Sequence, residues 1–306
     1  MIARASIKAA AEWTLVRGGA PIVARFMHRD ATIVLTYHGI VSAPDIARGG
    51  EASLHIDRQT FGDQLDRLAE THEIVPLREL WSAPDGRRGR PRAVITFDDA
   101  YTGALTLGVD ELAKRGVPAT YFVAPAFTSG RSFWWDGIAA LHDGVIPPEV
   151  RRAALVECSG ADDLVRDWAS ISRIPLGEPP AELRCATLTD LRAAARVSGI
   201  SFGSHSWSHP VLSRLSRNDL ARELEWPLRW LRRQFDEVLP VLAVPYGYSS
   251  ALVESEAQRL GYTAIFPGHS GWVSVNDPLS RSLPRQSVPA GLSPRGFTLR
   301  GAGLKA

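Results

Sequence analysis

The stretch "AVITFDDAYTGALTLGVDELAKRGVPATYFVA", residues 93–124, carries in one run the pattern from which the fold is read. "AVITF" (93–97) reads as a buried strand. A helical period follows through "LTLGVDELAKRG" and stops at Gly116, with Pro118 beyond it as the usual exit signal. "ATYFVA" (119–124) is the next strand. Strand, helix and strand in succession describe a parallel sheet.

The same rhythm extends outward in both directions. Upstream, "TIVLTYHG" (32–39) reads as a strand and "EIVPL" as a short one. Between them "TFGDQLDRLAE" (60–70) is a helix with Phe61, Leu65 and Leu68 on one face and Thr60 with Asp63 as its cap. Downstream, "TLTDLRAAARVSG" is a helix ending at Gly199, and "ISFGSH" a strand. "SRNDLARELEWPLRWLRRQF" opens with Ser216 and Asp219 as a capping box and is expected to kink at Pro227. "VLPVLAVPYG" is a strand, "SSALVESEAQRLG" a helix closed by Gly261, and "YTAIF" a further strand. With few hairpin signals, the sheet is open or closes into a barrel. Residues 131–186 break the rhythm with Pro-rich joints and are expected to form a helical insertion. The division is therefore an N-terminal helical segment, 1–30, and an α/β domain, 31–300.

Composition narrows the functional classes. The 306 residues hold 35 basic and 33 acidic side chains, a net charge of +2, so no global field for nucleic acid exists. Cys158 and Cys185 suit neither a disulfide framework nor a thiolate metal site. No run of eighteen apolar residues is present that would span a membrane. The N-terminus starts basic, but Glu12 interrupts its apolar stretch and argues against a secretory signal, so a cytoplasmic location, or one at the inner membrane face, is expected. Trp13, Leu15 and Val16 with Arg4, Lys8 and Arg17 make that segment amphipathic. Two readings of it stand: a helix packed on the domain, or a peripheral membrane contact.

In an α/β sheet the carboxyl ends of the strands face the functional side. Here they release Tyr37-His38, Asp98-Asp99, His205 and Pro245-Tyr246-Gly247. "HSWSHP" sets His205 and His209 four residues apart, on one side of a helical turn or compact loop. Two imidazoles and one carboxylate make a usual three-ligand catalytic zinc site. One of the adjacent aspartates can ligate, and its neighbour stays free as a base. Each piece alone has an ordinary explanation: a solvated turn, a packed histidine, a strand-end residue bonded to backbone. Their joint position at strand ends on one face is what points to chemistry.

The segments "TFDDAY", "SHSWSHPVLSRLS" and "VLAVPYG", with "IVLTYHGI", "IDRQTFGDQLDRLAETHEIVPLREL", "GVPATYFV" and "DPLSRSLPRQSV", resemble the polysaccharide deacetylase family. This is the NodB homology domain, or carbohydrate esterase family 4, in its bacterial surface-polysaccharide branch. The resemblance covers roughly residues 30 to 290, with 131–186 poorly matched. It implies a distorted (β/α)7-type barrel and a divalent metal, commonly Zn2+, in an enzyme that removes N-acetyl groups from the amino sugars of a glycan. Carried over by position, Asp98 is the general base, and Asp99, His205 and His209 hold the metal. The Tyr246 backbone N–H helps hold the oxyanion, and His38 is the general acid.

Three departures from the family pattern matter. Ala100 stands where a glycine usually follows the two aspartates. The arginine before "PPYG" is replaced by Ala243 or Val244, and Arg285 is the candidate to steady Asp98 in its stead. The Leu-x-His acid segment occurs nowhere, so the acid falls to His38 or to His269. Trp207, between the two histidines, and Trp134 and Trp135 either stack on a sugar or pack in the core. Competing functions are an O-acetyl esterase or deformylase using the same site, a non-catalytic glycan-binding relative, and a metal-dependent phosphatase. The last is weakened by the lack of a phosphate loop or arginine cluster at these strand ends.

Overall fold

A computed structural model describes residues 2–80, 82, 90–274 and 281–304. In chain order its strands are β1 (Ala31–Tyr37), β2 (Gly39–Val41), β3 (His55–Asp57), β4 (Glu73–Ile74), β5 (Arg92–Phe97), β6 (Ala119–Val123), β7 (Ile200–Ser204), β8 (Val238–Ala243), β9 (Ala264–Phe266), β10 (Val273–Ser274) and β11 (Gln286–Ser287). The helices are α1 (Ile2–Arg17), α2 (Ala20–Met27), α3 (Arg58–Thr71), α4 (Val109–Arg115), α5 (Trp134–Ala139), α6 (Pro148–Val156), α7 (Asp162–Ile171), α8 (Leu188–Ala194), α9 (Arg217–Gln234), α10 (Ala251–Arg259) and α11 (Pro294–Gly301).

Strands β1, β5, β6, β7, β8 and β9 pair in parallel in that order, with β4 also on β5. The sheet curls, because the segment after β9 returns to β1. Leu283 N–H bonds Ile265 O at 2.8 Å on one side, and Val288 N–H bonds Thr36 O at 2.9 Å on the other. Residues 281–288 thus bridge the gap as an irregular stave. The architecture is the α/β barrel-like fold that the strand–helix alternation predicts.

Side chains alternate across each strand, and that alternation divides the core in two. Ile33, Leu35 and Tyr37 of β1 and Ala93, Ile95 and Phe97 of β5 face out, against Phe61, Leu65 and Leu68 of α3 and Leu112 of α4. Val34 and Val94 face in and meet Phe122, Val241, Ala243, Phe266 and Leu283. With both faces covered, the strands read as continuous apolar runs in the sequence. Above the inner plug Thr36 and Thr96 bond each other at 3.2 Å. The next inward positions, two residues on, are His38 and Asp98.

The insertion shares the main core rather than building its own. Trp134, Trp135, Ile138, Ala154 and Val165 belong to the same buried cluster as the outward residues of β1 and β5. Asp136, fully buried, stitches it to the barrel by accepting from Glu51 N (2.8 Å), Tyr101 Oη (2.7 Å) and, at 3.1 Å, His55 Nε2.

Several local expectations are corrected. The cap of α3 is Asp57, whose carboxylate accepts from Thr60 N at 3.0 Å, while Asp63 takes Gln59 Nε2 at 2.9 Å. "EIVPL" contributes only the two-residue β4, since Pro76 cannot donate to a ladder. The helix expected from "RSFWWDGIAALHDG" is the short α5. No helix among the described residues is long and apolar enough to cross a membrane.

Gly103 is where the turn after β5 presses on β2: a Cβ there would stand 1.9 Å from Ile40 O. A backbone atom cannot step aside as a side chain can. Gly103→Ala is therefore expected to lower stability by at least ~1–3 kcal/mol, the usual cost of overpacking. A urea midpoint equal to that of the parent would contradict this close approach.

Candidate functional site

The carboxyl ends of β1, β5, β7 and β8 surround a cavity of about 440 Å³. Ladder hydrogen bonds continue one residue past three of these strands, so the departing residues are held in place. Asp98 N bonds Tyr37 O, His205 N bonds Val123 O, and Val244 N bonds Phe266 O, at 2.9, 2.9 and 3.0 Å. His38, Asp98, Asp99, His205, His209, Tyr246 and Arg285 all line the cavity.

Asp99, His205 and His209 converge, each buried, with one ligand atom from each lying within 4.8 Å of the others. His205 Nε2 and His209 Nε2 lie 3.4 and 3.2 Å from Asp99 Oδ1, and 3.1 Å from each other. His205 Nδ1 sits 2.9 Å from Ala243 O. A carbonyl can only accept, so that nitrogen carries the proton and Nε2 offers its lone pair to the centre. Asp99 Oδ1 is buried without a hydrogen-bond partner. Three donor atoms aimed at one point would repel each other unless a cation stood between them. Bond lengths of about 2.0–2.1 Å to a tetrahedral zinc require donor–donor separations of ~3.3 Å, close to those seen. The residues present fit such an ion.

The two carboxylates have different partners. Arg285 donates Nη1 to Asp98 Oδ1 at 2.7 Å and Nη2 to Oδ2 at 2.8 Å, a bidentate pair. Its guanidinium also rests 5.3 Å from the Phe122 ring centroid and 5.4 Å from that of Phe266, on top of the inner plug. Burial alone would raise the Asp98 pKa, but the Arg285 charge and the nearby histidines outweigh it and hold the carboxyl below its ordinary value. For Asp99, burial is likewise outweighed by the two imidazoles that face it. Burial pulls the His38 imidazole below its usual value against the attraction of Asp99 and Asp98. His205 goes the other way, because Asp98 and Asp99 overcome its burial.

The histidine loop is not helical. Ser206 and His209 adopt left-handed backbone, φ 62° and 60°, as do Asp99 (68°), Ala100 (50°) and Tyr246 (57°). Non-glycine residues enter that region at a cost of ~1–3 kcal/mol each and stay only where the surroundings fix them. The fixing contacts are visible. Glu223 of α9 accepts from Trp207 N and Ser208 N at 2.9 and 2.8 Å and from Ser208 Oγ at 2.6 Å. Ser206 Oγ accepts from His209 N at 3.0 Å. Tyr246 Oη takes Trp134 Nε1 at 3.1 Å and donates to Gly160 O at 2.8 Å.

Trp134 and Trp135 are buried yet line the cavity, and Trp135 packs 5.0 Å from His209. Trp207, which either stacks on a sugar or packs in the core, is half-buried outside the cavity lining and edge-on to Trp226 at 5.9 Å. His269 is exposed and also outside the lining. Sequence reasoning passed over Glu223, and over Arg151, Leu155 and Tyr248 at the cavity wall. Arg151 pairs with Glu51. Nothing in a lone glutamate within an amphipathic helix distinguishes a loop clamp from a solvated charge.

A family model described as polysaccharide deacetylase matches residues 85–265. Chitin deacetylase 1 of Cryptococcus neoformans var. grubii is 27% identical over 81 residues, which make up 26% of this chain and 16% of that protein. The chain therefore spans about a sixth of the length of that curated relative. Among solved structures, the Streptococcus pyogenes deacetylase PplD in complex with acetate superposes with a TM-score of 0.59 at 20% identity, covering 87% of this chain and 96% of that one. IcaB from Ammonifex degensii gives 0.60 at 17% identity, with 90% and 98% covered. At these identities the likeness is one of fold.

Since Arg285 keeps Asp98 ionised, its removal should let the carboxyl pKa rise. In Arg285→Gln the Asp98 midpoint, followed by carboxyl 13C NMR, is expected to climb by about 1–3 pH units, as for loss of an adjacent opposite charge. An unchanged midpoint would mean that the guanidinium does not set that acid's charge.

Proposed function

Given that the chain belongs to the polysaccharide deacetylase family, we propose that it is a metal-dependent hydrolase removing N-acetyl groups from the amino sugars of a glycan. The observation that carries this reading is the pairing, in one cavity, of a three-donor cluster (Asp99, His205, His209) with a separate carboxylate, Asp98, clamped by Arg285. A binding module has no use for a base beside a metal cluster.

Asp99, His205 and His209 would hold the metal, zinc by the character of two imidazoles and one carboxylate. Bound there, it would supply a Lewis acid for the acetyl oxygen and lower the pKa of an adjacent water toward ~7. Asp98 takes the proton of that water as its oxygen adds to the carbonyl carbon. The negative charge that develops on the former carbonyl oxygen is met by the Tyr246 backbone N–H. The C–N bond then breaks as His38 gives a proton to the departing amine nitrogen. Acetic acid, which keeps the second water hydrogen, and the free amine leave; Asp98 then gives up its proton and His38 regains one from solvent, which resets the site. His38, inside the cavity, suits the acid role better than the exposed His269.

The acyl group is small by this reading. Trp134 and Trp135 are 1% and 5% exposed, too little surface to carry a pyranose ring but enough to close a pocket around a methyl. Tyr248, 53% exposed at the cavity wall, has the free aromatic face that a sugar ring could stack on.

Acetate release from acetylated chitooligosaccharides or surface-glycan fragments, with and without chelator, tests the activity directly. Asp98→Asn should retain metal and lose turnover by ~10²-fold or more, the range for a positioned base. His205→Ala should instead come out low in metal by elemental analysis. Near-normal turnover in the asparagine variant would remove Asp98 from the role.

The acid is tested by its own pair of variants. His38→Gln should cut kcat by ~10²-fold or more and abolish the alkaline limb of the pH profile. Because burial lowers the His38 pKa, that limb should fall below the ordinary histidine value in the parent. His269→Gln should leave both rate and profile unchanged, and the opposite pattern would reassign the acid to His269.

A further inference from the structure

Helix α2 leaves an apolar face in water that the rest of the fold does not use. Ile22, Val23, Phe26 and Met27 are 66, 57, 67 and 73% exposed. Their spacing of i, i+1, i+4 and i+5 gathers them on one side of an eight-residue helix. The other side is occupied: Pro21 is buried, and α2 packs on α1 and α11. On α1, Ile7 and Leu15 are exposed as well.

The charge around this face leans positive. Residues 6–30 carry Lys8, Arg17, Arg25 and Arg29 against Glu12 and Asp30. Glu12 is itself buried, accepts from Ser293 and lies 3.8 Å from Lys8, which leaves Arg17 and Arg25 as the excess. Arg17 lies over Trp13 and Arg29 over Phe26, with centroid distances of 5.8 and 5.1 Å. Arg29 also lies 3.6 Å from Asp30, both of them exposed. A chain whose total charge nearly balances has thus placed an excess of cations beside its exposed apolar helix.

From this juxtaposition we infer that α2, with the adjoining face of α1, seats the protein on an anionic lipid bilayer. The four apolar side chains enter the acyl boundary while the flanking cations meet acidic headgroups. A protein partner fits less well. A helix only ~12 Å long, with four exposed apolar side chains, is too small a face to bury by itself the ~800 Å² per partner of a stable protein interface. Interfacial binding needs no more than one helix face.

The fold also keeps the seated helix apart from the cavity. Helix α2 leads into β1 at Ala31, the strand's amino end, and the His28 ring there stacks 4.9 Å from Trp272. The cavity begins past Tyr37 at the other end of the same strand. Seven residues of strand separate the two by ~20 Å. The cavity therefore stands clear of the docked helix, free to take a glycan displayed at the surface. That last step rests on the cavity being the catalytic site; the docking does not.

The test uses the full chain and vesicles of phosphatidylcholine, alone or mixed with phosphatidylglycerol. Co-sedimentation with the mixed vesicles is expected, weakened by salt and absent with phosphatidylcholine alone. V23D/F26D should reduce the bound fraction about tenfold or more, with an unchanged melting temperature because both positions are exposed. Hydrogen exchange on the vesicles should slow over residues 19–29 and stay unaltered over 148–156 beside the cavity. Failure to sediment with either vesicle, or equal binding by V23D/F26D, overturns the proposal whatever the activity proves to be. Protection of 148–156 in place of 19–29 overturns docking through α2. A concentration-dependent dimer that V23D/F26D dissolves assigns the face to a second copy of the chain and overturns it too.

Discussion

Two carboxylates in adjacent positions cannot both stay ionised in a buried cavity unless each has a compensating partner set of its own. That constraint organises this molecule. Asp98 is held by a bidentate arginine, and Asp99 by two imidazoles with room between the three donors for a cation. If the partners were shared, one carboxyl would take up a proton and the pair would lose its division of labour. Separate partners let neighbours in the sequence be electrostatically distinct.

The arginine comes from the far end of the chain, and this ties the closure of the barrel to the charge state of the site. Arg285 stands on the irregular stave between β9 and β1. It reaches Asp98 across the top of the plug, with Phe122 and Phe266 beneath its guanidinium. The barrel needs that segment to cover its open side, and the site needs the charge it brings. The inserted helices act similarly from outside. Asp136 fastens them to the barrel, while Trp134 steadies Tyr246 in its strained turn. Strain at Asp99, Ala100, Ser206, His209 and Tyr246 marks where surrounding contacts overrule local preference.

At the opposite end of β1, the basic and apolar character of α2 belongs to a different problem, where the molecule sits rather than what it does. The length of one strand keeps the two apart.

Much of this was legible in the chain. Strand–helix alternation gave the parallel sheet, because a strand covered on both faces must be apolar throughout and its crossover helix must show a 3.6-residue period. Asp98, Asp99, His205 and His209 could be singled out since strand ends are short-range features. Other matters depended on contacts between distant residues. The N-cap of α3 moved from Thr60 to Asp57 because capping depends on which carboxylate reaches the first free N–H, not on residue type. Trp207, placed between two cavity histidines, meets Trp226 of the helix whose Glu223 clamps its loop. A sequence records which side chains exist and in what local rhythm. Which of them share a cavity, and which neutralises which charge, is settled only when residues nearly two hundred positions apart, like Asp98 and Arg285, are brought to hydrogen-bonding distance by the closed sheet.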